Sequence, residues 1–240
     1  MNLITYPPGK SVFISFLLCL LPIIIFSQSQ GETTDDQIDT KYREDQFYVG
    51  ITYNLLNNIA DEIAQTGFSS GFHFGFIRDF PLNESRNFGV GIGIGYSANS
   101  VNHNLLIQDT GQNDYSYTIA EDGTFSKNKF SLHLVELPFE FRWRSSTATN
   151  YKFWRVYAGF KFGYVLSSSI KYRGEPKDFK LKNIDDFNKV AYGLTLTAGY
   201  DKFNIHLYYM LNHIFKDESR LNNQVIDMSF IKLGLMLYIL

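Results

Sequence analysis

From Gln46 to the end of the chain, apolar and polar residues take turns with a period of two. Val135, Leu137, Phe139, Phe141 and Trp143 interleave with Glu136, Pro138, Glu140, Arg142 and Arg144. Phe88, Val90, Ile92, Ile94 and Tyr96 interleave with Gly89, Gly91, Gly93 and Gly95. Trp154, Val156, Ala158, Phe160, Phe162, Tyr164 and Leu166 interleave with Arg155, Tyr157, Gly159, Lys161 and Gly163. The same alternation marks 47–55, 72–77, 190–200, 203–211 and 231–239. Successive side chains of a strand point to opposite faces, so the pattern predicts eight strands. In one stretch the phase slips: Phe130, Leu132 and Leu134 are even-numbered, whereas Val135 to Trp143 are odd. Either a β-bulge near Leu134 or a strand running on above a membrane accounts for that.

The predicted connections alternate in length. Long ones fall near 56–66, 98–128, 173–187 and 216–225; short ones near 81–86, 145–151 and at Asp201-Lys202. This is the plan of an antiparallel up-and-down transmembrane β-barrel, with short periplasmic turns and longer outer loops. An even strand number puts both chain ends on the same side. Volume decides which face points in. An eight-stranded barrel has an interior just wide enough to be filled by side chains. About five bulky residues per strand, many aromatic, cannot fit there, but the small and polar opposite face can. The apolar face is therefore expected to meet lipid, with Tyr53, Tyr96, Trp143, Trp154, Tyr164, Tyr192, Tyr200 and Tyr209 contributing to interfacial girdles. A soluble barrel is the alternative, and it predicts extraction without detergent.

Composition agrees. Aromatic residues make up 17% of the 240 residues, and the formal net charge of −2 leaves no basic footprint for nucleic acid. A single Cys excludes an internal disulfide framework and any multi-cysteine zinc site. Mean hydropathy of −0.15 excludes a polytopic helical membrane protein but not a barrel.

The N-terminus reads as an address. Lys10, an apolar run from Val12 to Phe26 and then Ser27-Gln28-Ser29-Gln30 form the three parts of a secretory signal peptide. The run is short for a membrane-spanning helix, and cleavage is expected after Ser27 or Ser29. Cys19 follows Leu18, which is not the small residue a lipoprotein signal needs. The expected organisation is a signal peptide at 1–29, a flexible acidic periplasmic tail at 30–45 and an outer-membrane barrel at 46–240. The last segment, Lys232 to Leu240, resembles the C-terminal signal read by the barrel-assembly machinery, although the usual terminal aromatic is replaced by Leu240.

The Ser-Gln signal end, the acidic tail, the Gly-aromatic strands and above all Val135-Glu136-Leu137-Pro138-Phe139-Glu140-Phe141 resemble the PorT-like outer-membrane β-barrel family of Bacteroidetes-type bacteria. The resemblance covers about 46–240. It implies an eight-stranded barrel in the outer membrane with a role associated with type IX secretion and gliding machinery.

Candidate chemistry lies on the inward face. Glu136, Glu140, Arg142 and Arg144 share it with Arg155 and Lys161 of the next strand. A buried unpaired charge costs several kcal/mol, so these six are expected to form a structural ion-pair network filling the lumen. A gated polar path or proton relay is the functional alternative. Pro138 has no ladder donor and predicts a bulge or local break. Ser131 and His133, with Glu136 nearby, are the elements of a lipid- or peptide-hydrolysing barrel, but same-face neighbours on a strand stand roughly 6–7 Å apart. His73 and His206 both face inward without an evident third metal ligand, while His103 and His213 fall in a loop and at a strand end. No Walker loop is present, and the spaced glycines open no helix, so no cofactor is expected. The mixed-charge loop 173–189 could solvate the surface or face a partner or lipopolysaccharide, and Tyr115 and Tyr117 in the 98–128 loop are candidate exposed contacts. The expected function is a non-enzymatic structural or interaction protein. Its expected partners are outer-membrane lipid and lipopolysaccharide, the barrel-assembly machinery and other outer-membrane or periplasmic proteins. A barrel hydrolase and a small passive channel are the alternatives.

Overall fold

The computed structural model describes residues 45–111, 114–145 and 153–239. The expected signal peptide, and the expected tail up to residue 44, lie outside the described residues. Among the described residues thirteen strands follow one another: β1 (Gln46–Asn57), β2 (Ser70–Pro81), β3 (Phe88–Asn102), β4 (Leu105–Gly111), β5 (Asp114–Ile119), β6 (Phe125–Arg144), β7 (Trp154–Gly174), β8 (Phe179–Lys182), β9 (Val190–Tyr200), β10 (Phe203–Met210), β11 (Arg220–Leu221), β12 (Gln224–Val225) and β13 (Ser229–Ile239). Eight of them close a barrel in the order β1-β2-β3-β6-β7-β9-β10-β13, and β13 returns to pair with β1. Every neighbour is antiparallel and each pair follows chain order across a hairpin, except the closing pair.

The period-two pattern becomes an inside and an outside. Along β1, Tyr48, Gly50, Thr52 and Asn54 are buried, while Phe47, Val49, Ile51, Tyr53 and Leu55 are exposed. In register beside them stand Leu233, Leu235, Leu237 and Ile239 of β13, also exposed. This outward apolar belt runs round the whole barrel. Trp143, Trp154 and Tyr200 mark its lower rim near the short turns; Tyr53, Tyr164, Tyr192 and Tyr209 mark the upper rim. A closed sheet leaves no edge in hydrocarbon, where an unmet N–H or C=O costs several kcal/mol. The belt and the closure together make this a lipid-facing barrel.

Above the upper rim the molecule differs from the sequence reading. β6 and β7 have 20 and 21 residues, about twice what a membrane strand needs. Their upper halves continue as a protruding ribbon, with β8 added on the far edge of β7. The stretch 98–128 is therefore no open loop: the ends of β3 and β6 enter it, and β4 and β5 form a hairpin inside it. The phase slip at Leu134 has a related cause. β6 keeps even-numbered residues inward along its length, and the register shift at His133/Leu134 is absorbed by an extra residue, Leu166, on β7. What changes there is the polarity of the inside. Below Leu134 the lumen is charged; above it, Phe130, Leu132 and Leu134 join Val101, Leu105, Ile107, Val165, Ile170, Phe187, Phe215 and Phe230 in one apolar core. Water replaces lipid outside at that height, so the hydrophobic face turns inward, as in a soluble domain. Pro138 brings no bulge. The β3–β6 ladder lapses between Ile92↔Phe139 and Gly95↔Glu136 and resumes in the same register.

Candidate functional site in the barrel lumen

The lower lumen is packed with inward side chains of β2, β6, β7 and β13. Asp79 of β2 is fully buried and receives two guanidinium groups: Arg144 Nη2 at 2.7 Å and Arg142 Nη1 at 3.3 Å. Arg142 also donates through Nε to Glu140 Oε2 at 3.1 Å and lies over the Tyr157 ring at 4.6 Å. Arg144 Nε donates to the backbone carbonyl of Arg86 at 2.8 Å, which ties the plug to the β2–β3 turn. Arg155, also buried, sits over the rings of Phe153 at 4.5 Å and Tyr238 at 5.6 Å.

Room for these groups comes from glycine. A methyl group on Gly91 would stand 2.5 Å from Arg142 Nε, and one on Gly95 would collide with the Tyr48 hydroxyl. The glycine face of β3 is thus the space that Arg142 and Tyr48 occupy.

A second layer lies above. Glu136 Oε2 meets Lys161 Nζ at 3.2 Å and His73 Nδ1 at 3.5 Å. His73 Nε2 shares a hydrogen bond with Thr52 Oγ1 at 3.1 Å, and Thr52 donates to Asn54 at 2.9 Å. Tyr208 lies between two ammonium groups, Lys161 at 5.7 Å and Lys232 at 5.1 Å. His206 bonds Thr197 Oγ1 at 2.7 Å. Over this layer is an enclosed space of about 20 Å³, lined by Glu136, Lys161 and Lys232 below and by Leu132, Leu134 and Phe230 above. It has room for about one water.

Three buried carboxylates, Asp79, Glu136 and Glu140, thus face five buried cations, Arg142, Arg144, Arg155, Lys161 and Lys232. Aromatic rings make up part of the difference, because a ring face attracts a cation by up to about 2 kcal/mol when desolvated. Of the six residues singled out from sequence, Glu140, Arg142 and Arg144 meet in the lower cluster and Glu136 pairs with Lys161 in the upper one. Arg155 meets rings. Asp79, His73 and Lys232 complete the layers and were not among the six. Their signal was present: Asp79 is in phase with His73 on β2, and Lys232 with Gly234 and Met236 on β13.

The model of the outer membrane protein beta-barrel domain matches residues 26–216. The chain belongs to that family. No curated protein matches it. The belt of exposed apolar side chains on this outer-membrane barrel is therefore its lipid contact.

The hydrolase elements are separated by the strand itself. Ser131 and His133 project on the outer face of β6, whereas Glu136 projects into the lumen. His133 Nδ1 bonds the Tyr96 hydroxyl at 2.6 Å, and Ser131 donates to Ser100 at 3.4 Å, so nucleophile, base and acid do not converge. His73 and His206 do face inward, and among the described residues no three ligating side chains gather for a metal ion. Tyr117 is not an exposed contact. It is buried against Phe215, and its hydroxyl donates to Asp186 at 2.5 Å. Tyr115 packs partly buried against the same core.

Proposed function

We propose that this outer-membrane barrel is a structural and interaction protein, and that it serves as an accessory of a type IX secretion or gliding apparatus of the kind its PorT-like strand implies. The observation that carries the first part is a lumen filled twice over. Arg142 and Arg144 are locked on Asp79 in the lower half. Phe130, Phe187 and Phe215 stack within 6.1 Å of one another in the upper half. An ion crossing the barrel has to break a buried pair, which costs about 3–5 kcal/mol, and then enter an apolar core. That supports an anchor over a channel. The separation of Ser131 and His133 from Glu136 supports a non-enzymatic role.

A folded cap above the membrane gives such an anchor a preformed surface for partners. The apparatus assignment rests on the sequence resemblance alone. It is tested by photo-crosslinking from exposed Thr110, beside the turn of the β4–β5 hairpin, in living cells. Capture of secretion or gliding components supports it. Loss of the protein without any change in type IX export or surface motility contradicts it. Planar-bilayer recording tests the anchor: no stepwise conductance is expected, and sustained openings contradict it.

A further inference from the structure

Above the upper rim, the outer face of the β6–β7–β8 ribbon is cationic. The register sets like charges directly opposite one another. Lys129 of β6 faces Lys171 of β7, which faces Lys180 of β8. One pair higher, Lys127 faces Arg173; below, Lys182 stands beside Ser169. The inner face of the same ribbon is apolar. Tyr172 stacks on Phe179 at 5.2 Å, and Leu181 packs on the core under the cap. The strands' alternation therefore sends all six cations to the same side.

Like charges placed opposite each other destabilise a sheet. Here they press on one another: Lys129 is held below the ordinary lysine range by partial burial and by Lys127, Lys171 and Lys180, and Lys171 by Arg173, burial, Lys127 and Lys180. Among the described residues none of the six makes an ion pair. Lys129 Nζ reaches only Ser100 Oγ at 3.2 Å, and Asp178, the nearby carboxylate, accepts from the backbone of Gly174. Lysines do protect exposed strand edges, but that role would touch β8 alone. Lys129 and Lys171 lie on strands paired on both sides.

Position supplies the partner. Leu166 is the last outward apolar residue of β7, and Lys171 follows five residues later on the same strand, with serines between. At about 3.3 Å per residue and a tilt near 40°, that places the ladder roughly 13 Å above the hydrocarbon edge. Lysine and arginine stems that lean back along the strand carry their charges down from that height towards the phosphorylated headgroups of an outer-leaflet glycolipid. We propose that the Lys129–Lys171–Lys180 ladder, with Lys127, Arg173 and Lys182, is a binding face for the phosphorylated headgroup of an outer-leaflet glycolipid. Phosphates lying between opposed ammonium groups would relieve the repulsion that the free protein carries. The inference rests on the outer-membrane placement.

The test uses the full-length barrel in detergent, titrated with fluorescent diphosphoryl lipid A and with its dephosphorylated form. Saturable binding of the diphosphoryl form is expected, weakened at least tenfold in 0.5 M salt and at least tenfold by the triple variant Lys129→Thr, Lys171→Thr, Lys180→Thr. Removing Lys202 in the β9–β10 turn serves as the control and should change nothing. The triple variant is also expected to unfold at higher denaturant than the wild type without lipid. Equal binding of the dephosphorylated form, or unaltered binding by the triple variant, overturns the proposal. So does displacement by millimolar inorganic phosphate, which would indicate a soluble-anion site. Should the variant not fold, the salt dependence and the phosphate requirement of the wild type decide in its place. A barrel absent from the outer membrane would overturn the placement instead, a result fractionation reads separately.

Discussion

Asp79 shows how much one buried side chain can hold. Its two oxygens receive Arg142 and Arg144 at full burial. Breaking a buried pair from one side costs about 3–5 kcal/mol, because the remaining charge stays buried. Asp79→Ala is therefore expected to lower stability by about that amount, measured by urea unfolding of the barrel in lipid vesicles; a change under 1 kcal/mol would show the pairs to be incidental. Gly91 makes the complementary case. A branched side chain there must displace Arg142, so Gly91→Val is expected to reduce folding yield more than Gly89→Val, whose nearest neighbour is an oxygen of Asp79 at 3.2 Å. At His103, burial pushes the imidazole down to about 4 against a partial offset from the Leu105 carbonyl. The unfolded chain then binds a proton that the folded cap does not, so cap stability falls as pH drops from 6.5 towards 4 and levels off below. The loss is roughly 3 kcal/mol at most. His103→Leu should flatten that slope in amide exchange of β4 and β5.

At the scale of elements, the legible part of the structure was whatever repeated. Eight strands, their order and their faces follow from alternation, because one face must meet lipid and the other must fit a narrow interior. The charged residues in phase with the glycines were legible for the same reason. The cap was not. Ile63, Leu105, Ile107, Phe187, Ile214, Phe215 and Met228 are apolar residues of short, irregular segments, and no period announces that they share a core. Leu134 gave the one hint, since the hydrophobic face changes sides there while the strand keeps its phase. Individual partners were also hidden. Arg142 chooses between acids on its own strand and on β2, and only the register settles on both. The cap is expected to be separable from the barrel. Phe130→Ala, at the centre of four aromatic contacts, should cost the cap about 3–5 kcal/mol. Faster amide exchange in β4, β5 and β8 would report this, while the barrel below still migrates compactly on gels until boiled. Loss of that compact form would mean that cap and barrel fold as one unit.

The whole molecule is a soluble-type domain standing on a membrane-type barrel, made from the same strands. Its hydrophobic face lies outside below the upper rim and inside above it. A nitroxide scan along β6 tests this inversion at the membrane, since Cys19 in the N-terminal apolar run is the chain's one native thiol. Single labels at residues 130 to 133 and 137 to 143 are placed in the barrel reconstituted in a bilayer, and collision with oxygen is compared with collision with a water-soluble nickel chelate. High oxygen accessibility is expected at Leu137, Phe139, Phe141 and Trp143, chelate accessibility at Ser131 and His133, and low accessibility to both reagents at Phe130, Leu132, Glu140 and Arg142. Oxygen accessibility at the even positions, chelate accessibility at the odd positions from 137 to 143, or its lack at Ser131 and His133, would contradict the inversion.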